Sequence, residues 1–332
     1  MATANTLLAV NHVTHRYDPK ATRPVLSDVS LAIAEEDIVA LVGESGCGKT
    51  TLGKMVAGLF NPSQGTIAFE GNDISGLRGR LRNRYRQSVQ LVHQDPYASL
   101  NPALTLEETL TSGMRRHRLV ASRREARERV RDLLHTVELP HDDEFLQRYP
   151  HQLSGGQRQR IGIARALALG PSLIVADEAV SMLDVSVRMA ILNLLLDVKH
   201  TRRLSYLFIT HDFGVVRHFA EGYRIGVLYY GKLVEWGPCP DIILRPLHPY
   251  TYALLSAVPV PDPEWNRRRP RVDLKAEDEV TVTGYGCPFF PRCPMATTRC
   301  SEEDPVLMPL GDQRATACFF PESVPTLHGG MS

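Results

Sequence analysis

The chain has 332 residues, with 38 Lys and Arg against 37 Asp and Glu, for a formal charge of +1. That balance excludes a protein that coats nucleic acid through net basic charge, so an anionic ligand has to be met by local geometry. Hydrophobic residues at 43% and charged residues at 23% suit a globular chain of one large domain or two.

No apolar run approaches the roughly 18 residues that cross a bilayer. Met1 to Asp18 offers only Leu7–Val10 as an apolar stretch, with no basic run before it, so no secretory signal is expected and the default compartment is cytoplasmic. From there the chain alternates apolar runs and turns. Leu7–Val10, Val25–Ile33 and Ile38–Val42 read as strands, and a helix is expected from Lys49. Gly65–Phe69 and Ser88–Val92 read as further strands, and Leu106–Leu139 as mostly helical. Its Arg-rich part, Arg115–Arg131, interleaves Glu125, Glu128 and Asp132 and reads as a solvated helix face. Leu173–Ala176 has the form of a strand buried on both faces. Val187–His200 reads as a helix, and Tyr206–Thr210 and Arg224–Tyr230 as strands. Strands alternating with helices predict an α/β fold with a largely parallel sheet. Pro259, Pro261 and Pro263, followed by the polar run Glu264–Glu279, mark a boundary. The expected domains are therefore 1–258, with a helical part at about 95–170, and 259–332.

Gly43-Glu44-Ser45-Gly46-Cys47-Gly48-Lys49-Thr50 matches the phosphate-binding loop G-x-x-x-x-G-K-[ST], after an apolar strand and before a helix, the context that confirms it. Glycines let backbone N–H groups wrap a phosphate, the helix start favours negative charge, and Lys49 supplies a mobile cation. Thr50, followed by Thr51, offers a hydroxyl to Mg²⁺, and Cys47 reads as a small filler. Asp177 and Glu178 stand at the carboxyl end of the buried strand, where ligands of open α/β sheets gather. Asp177 is placed to hold Mg²⁺, and Glu178 to polarise the water that attacks a γ-phosphate. Ser154-Gly155-Gly156-Gln157, preceded by Leu153, opens a helix and looks like a second anion-binding start.

Leu153-Ser154-Gly155-Gly156-Gln157 resembles the signature of the nucleotide-binding subunits of ATP-binding cassette (ABC) transporters. The resemblance implies a P-loop ABC ATPase core with an antiparallel β-subdomain and a helical subdomain, two ATPs being sandwiched head to tail between two subunits. It assigns Tyr17 to adenine stacking, Gln94 to Mg²⁺ and the attacking water, Asp184 to the loop that touches the opposite subunit, and His211 to the γ-phosphate. Ala179 and Met182 stand where the family usually has Pro and Ala, and His93 where an aromatic is common, which puts the hydrolysis rate and dimer packing in question. His248-Pro249-Tyr250-Thr251 and the run Val92-His93-Gln94-Asp95-Pro96-Tyr97 are similar to those of oligopeptide, dipeptide and nickel importer ATPases. That subfamily implies a second ATPase subunit, two transmembrane permease subunits served indirectly by an extracytoplasmic solute-binding protein, and no nucleic acid. It also implies a peripheral place on the cytoplasmic face of the bacterial inner membrane, with Tyr97–Thr109 as the docking surface for the permease. Nickel or another small solute is the alternative cargo, and a soluble ABC ATPase or a non-hydrolysing ATP-binding module the alternative class.

Cys287, Cys293, Cys300 and Cys318 crowd the C-terminal stretch with spacing C-x5-C-x6-C-x17-C. Four thiolates suffice for tetrahedral Zn²⁺ or an iron–sulfur cluster, and the short pairs usual in structural zinc sites are absent. Similar tails in peptide-importer ATPases imply a 4Fe-4S cluster, with Zn²⁺ or free or paired thiols as the alternatives.

Overall fold

A computed structural model of the chain describes residues 6–21, 23–258, 286–311 and 313–326. The proline-marked boundary and the polar run that follows it lie outside the described residues. The strands are, in order, β1 (Thr6–His15), β2 (Leu26–Ala34), β3 (Ile38–Val42), β4 (Gln64–Phe69), β5 (Asn72–Asp73) and β6 (Val89–Val92). They continue with β7 (Leu173–Asp177), β8 (Ser205–Thr210), β9 (Arg224–Tyr229), β10 (Lys232–Pro238), β11 (Met308–Leu310) and β12 (Arg314–Thr316). A four-stranded antiparallel sheet runs β2-β1-β4-β5, and an eight-stranded sheet runs β11-β12-β10-β9-β3-β8-β7-β6.

Within the larger sheet β9, β3, β8, β7 and β6 are parallel, so the expected parallel sheet forms its centre. The far edge is antiparallel. There β10 turns back on β9 through Tyr230 (φ 44°) and Gly231 (φ 80°), two positive φ values in succession that suit the right-handed twist of a tight hairpin. The segment beyond residue 286 does not stand apart from the core. Its strand β12 pairs with β10, Glu235 opposite Thr316 and Trp236 opposite Ala315.

The central strands are apolar on both faces because each face has its own core. Ile38, Ala40 and Val42 of β3 join Ile174, Ala176, Tyr206 and Phe208 on one side. Val39 and Leu41 join Leu173, Val175, Leu207 and Ile209 on the other. This two-sided burial erases the polar alternation of a half-exposed strand.

Helix α1 (Lys49–Val56) follows β3, and α2 (Gly79–Ser88) precedes β6. The sequence reading has no helix at α2. Its one buried residue is Tyr85, whose hydroxyl donates to the Val56 carbonyl, so no apolar periodicity reports it. The helical layer holds α3 (Leu106–Arg116), α4 (Arg123–Thr136), α5 (Asp143–Leu146) and α6 (Gly155–Leu167). The starts of α3, α4 and α5 are fixed by Thr105, Ser122 and Asp142, whose side chains accept backbone N–H bonds three residues on. The Arg-rich face of α4 carries the exposed pairs Arg124–Glu128 and Arg129–Glu125, whereas Arg123 and Arg127 turn to the buried Glu107 of α3. Then come α7 (Val185–Arg202), α8 (Phe213–Phe219), α9 (Cys239–Leu244), α10 (Pro249–Ala257) and the short α11 (Thr298–Glu302). No described helix is long and apolar enough to cross a membrane.

Candidate nucleotide site

Because the central strands are parallel, their carboxyl ends open on one side of the sheet, and the loops that leave them meet there. The loop after β3 carries Gly43 to Gly48, the end of β7 carries Asp177 and Glu178, β8 leads into His211, and β6 into Gln94. A depression of about 690 Å³ is lined by Gly43, Ser45, Lys49, Thr50, Thr51, Gln94, Glu178 and His211.

Gly48 has φ 108°, and a Cβ there would lie 2.7 Å from the Val25 carbonyl oxygen, so only glycine closes the loop at that point. Lys49 is buried, and its Nζ donates to the carbonyls of Gly43 at 2.8 Å and Glu44 at 2.7 Å. The ammonium is thus held over the concave side of the loop. Cys47 is buried, and that burial pushes its thiol pKa up, which suits the filler expected of it.

The Thr50 hydroxyl donates to Asp177 Oδ1 at 3.0 Å, bringing together the two oxygens that the sequence assigns to a divalent cation. Burial raises the Asp177 carboxyl above its usual range, and the Thr50 hydrogen bond works against that shift. Glu178 has φ 47°, a left-handed backbone that costs a non-glycine residue about 1–2 kcal/mol. Its amide donates to the Ile209 carbonyl at 2.9 Å and its carbonyl accepts from the Ser181 hydroxyl at 2.9 Å. Those bonds fix the turn and hold the carboxylate in the depression. Gln94 Nε2 donates to Glu178 Oε2 at 3.0 Å, and His211 Nδ1 lies 3.2 Å from Glu178 Oε1. Three residues far apart in sequence are joined around one carboxylate. Tyr17 is exposed beside the loop, its hydroxyl 3.1 Å from Thr51 Oγ1.

Ser154, Gly155, Gly156, Gln157 and Asp184 are not brought to this depression. Ser154, Gly156 and Gln157 line a separate one of about 420 Å³ that Ser186 of α7 shares. Ser154 caps α6: its hydroxyl accepts from Gln157 N at 3.3 Å while Gln157 Oε1 accepts from Ser154 N at 3.1 Å. The first-turn amides, Gly155 and Gly156 included, have no partner within the helix. Asp184 is exposed at the start of α7, two residues beyond the exposed Met182, while Ala179 is buried. Tyr97, 63% exposed, lies over the buried Arg158 of α6, with the guanidinium 3.8 Å from the ring centroid.

The four C-terminal cysteines line one apolar pocket of about 20 Å³ with His248, Phe289, Met295 and Phe320. Among the described residues no group of three or more Cys, His, Asp or Glu side chains takes up a metal-holding arrangement. Burial pushes the Cys287 thiol to about 12 and the Cys293 thiol to about 11. The amides of Phe289, Met295 and Phe320 bond the sulfurs of Cys287, Cys293 and Cys318, in each case two residues back.

The sequence reading passes over the contacts that seat His248-Pro249-Tyr250-Thr251. The fully buried Glu235 accepts from Leu247 N at 2.8 Å, His248 N at 3.1 Å and Arg314 Nη2 at 3.0 Å. The Tyr250 hydroxyl accepts from the Glu44 amide at 2.8 Å. The His-Pro-Tyr segment therefore reaches the phosphate loop itself, and only its apolar character showed locally in the sequence.

Residues 26–181 match the family model "ABC transporter", and residues 234–300 match "Oligopeptide/dipeptide transporter, C-terminal region". The chain is 45% identical over 324 residues to a protein of Sinorhizobium fredii named "Probable peptide ABC transporter ATP-binding protein y4tS", covering 95% of this chain and 90% of that one. It is 43% identical to the oligopeptide transport ATP-binding protein OppF of Bacillus subtilis, over 80% of this chain and 86% of the relative. Among solved structures it is similar to an ATP-binding cassette dimer in a post-hydrolysis state with ADP and Pi, at TM-score 0.62 and 31% identity, covering 70% of this chain and 98% of that one. A phosphate loop, an acidic strand end and a glutamine and histidine gathered on one carboxylate, in a chain with relatives matched almost end to end, place it: the chain belongs to the ATP-binding, ATP-hydrolysing subunits of the ABC transporter family.

Proposed function

We propose that the chain powers the uptake of di- or oligopeptides as one ATPase subunit of an ABC importer. The observation that carries the mechanism is the separation of the two depressions. The phosphate loop, Asp177, Glu178 and His211 line one, and the signature residues Ser154, Gly156 and Gln157 line another. A head-to-tail pair of subunits joins the two kinds of surface, Ser154, Gly155, Gly156 and Gln157 of one facing the nucleotide held by the other, with Asp184 at the seam. The peptide cargo is supported by the oligopeptide/dipeptide region at residues 234–300 and by relatives named for peptide transport.

In this reading the loop amides of Gly43, Ser45, Gly46, Cys47 and Gly48 take the phosphates with Lys49, and Tyr17 and Thr51 border the base and α-phosphate end. Thr50, Asp177 and Gln94 would hold Mg²⁺, which would supply positive charge beside the phosphates. Glu178 accepts the proton of the attacking water, Gln94 orients that water, and His211 holds both Glu178 and the γ-phosphate. Residues 1–258 form the nucleotide-binding unit. The surface from Tyr97 to Thr109, continuous with a depression of about 560 Å³ lined by Thr105, Glu107, Arg115 and Arg123, receives a permease segment. In this reading the subunit lies on the cytoplasmic face of the bacterial inner membrane, beside a second ATPase subunit and two permeases, with a solute-binding protein outside and no nucleic acid.

We further propose that Cys287, Cys293, Cys300 and Cys318 would hold a 4Fe-4S cluster, a reading carried by the number of thiols at one pocket and not by their arrangement, which is not a metal-holding one. Four thiols around one apolar pocket, three of them bonded by backbone amides, are a donor set suited to thiolate ligation, and a cluster there would crosslink residues 287–318. Iron and acid-labile sulfide in anaerobically purified protein test it; zinc alone, or no metal, refutes it.

Uptake of labelled dipeptides, longer peptides and Ni²⁺ by cells carrying the native chain or Glu178→Gln tests the importer. Peptide uptake is expected to collapse with nickel entry intact; the reverse pattern, or no change, overturns the peptide assignment.

A further inference from the structure

The loop between Cys287 and Cys293 ends in a single 3-10 turn, Phe290–Arg292, and Arg292 leaves the cysteine pocket altogether. Its guanidinium, 5% exposed, grips Glu44 of the phosphate loop through two parallel bonds, Nη1 to Oε2 at 2.9 Å and Nη2 to Oε1 at 3.0 Å. Nη1 also donates to the Tyr229 hydroxyl at 3.4 Å. Glu44 is thereby held at three points: its carboxylate by Arg292, its amide by Tyr250 and its carbonyl by Lys49. Phe289 of the same loop packs edge-on against Tyr229 and Tyr250, with ring centroids 5.4 and 5.6 Å apart.

We propose that Arg292 is a positioning residue of the nucleotide site, and that the conformation of the Cys287–Cys293 loop sets nucleotide affinity through it. Two effects combine. The fork fixes the side chain of a loop whose amides must converge on phosphate, and planar bidentate bonds give that geometric control. The guanidinium also cancels a carboxylate that would otherwise stand at the mouth of a polyanion site. The inference rests on the nucleotide site alone, so failed peptide uptake or missing iron leaves it standing.

The test measures the dissociation constants of MgATP and ADP, together with kcat and KM, for the full chain, for Arg292→Ala, Arg292→Lys, Pro291→Gly and Glu44→Gln, and for the two double variants that combine Arg292→Ala with Glu44→Gln or with Pro291→Gly. Arg292→Ala is expected to weaken nucleotide binding about tenfold, within the range usual for coupled sites, with kcat at saturation little changed. Arg292→Lys, which keeps the charge without the fork, should fall between. Adding Glu44→Gln to Arg292→Ala should recover part of the affinity, because the negative charge that Arg292 offset at the loop is gone; a residue that merely fastened the tail would show no such recovery. Pro291→Gly, which loosens the turn without touching a cysteine, should weaken binding in the native background and not in Arg292→Ala. Unchanged affinity in folded Arg292→Ala, additive losses in the double variant, or an equal Pro291→Gly effect in both backgrounds overturns the proposal. Should Arg292→Ala fail to fold, Arg292→Lys and Glu44→Gln carry the same comparison.

Discussion

Replacing His248 by Asn should remove an acid-sensitive element from the fold. His248 is 1% exposed, its Nδ1 accepts from Tyr250 N at 3.1 Å to cap α10, and its ring bonds the Ala317 backbone. An acceptor Nδ1 specifies the neutral imidazole, and burial lowers the pKa from 6.5 to about 3. Between those values the unfolded chain binds a proton that the folded one refuses, so this group's contribution falls as the pH drops through 6.5. From pH 7 to 4.5 the loss is about 2.5 kcal/mol, taking the two pKa values through proton linkage. Glu235, which accepts from the His248 amide, works in the opposite sense: burial raises its pKa, so the folded state takes up its proton first and gains relative stability on acidification. The comparison therefore has to be between variants. Urea unfolding of native chain and His248→Asn at pH 7 and 4.5 should show the native chain losing more, by about that amount, since Asn keeps a capping acceptor without a titrating group. Parallel losses in the two proteins would refute the argument.

Glu178→Gln should cut ATP hydrolysis by about 10²–10⁴-fold, the usual worth of a general base, while MgATP still binds; retained turnover would show that another group takes the proton. Gly156→Ala places a Cβ 2.7 Å from Val187 Cγ1, so it should leave nucleotide binding by the isolated chain intact and weaken ATP-driven dimerisation seen by gel filtration. Glu107→Ala removes a buried carboxylate, 3% exposed, that accepts from Arg127 Nε and Nη2 and from Gln147, and should cost about 2 kcal/mol in urea unfolding; a loss under about 0.5 kcal/mol would mean Arg127 resolvates freely. On the proposed cluster assignment, Cys293→Ser is expected to lower iron and acid-labile sulfide in anaerobically purified protein together; equal amounts in both proteins refute Cys293 as a ligand.

The parts of the fold that the sequence makes legible are those whose cause is local. The strand at Ile38–Val42 and the helix start at Lys49 come out as read, because an unbroken apolar run and a glycine loop leave few options. The acidic end of β7 was equally plain. Helix α2 was not, since a helix that buries Tyr85 alone carries no apolar period. Hairpin strand β10 was missed although Tyr230-Gly231 marks its turn, because the second turn residue alone looks unusual in sequence. The gathering of Gln94 and His211 on Glu178 could be reached only through resemblance: no local pattern states that β6, β7 and β8 lie side by side.

Arg292 shows where such reading ends. Between two cysteines and two prolines it has the look of a solubilising residue, and its partner lies 248 residues earlier in the chain. What could have raised the question is Glu44 itself. A carboxylate inside a loop built to hold polyanions is electrostatically misplaced unless a cation is fixed against it, and Lys49 is engaged with backbone carbonyls. The compensating charge had to come from elsewhere in the fold. It comes from a segment that also packs Phe289 against the two tyrosines of the loop's support, so the C-terminal segment is part of the construction of the nucleotide site as well as a neighbour of it.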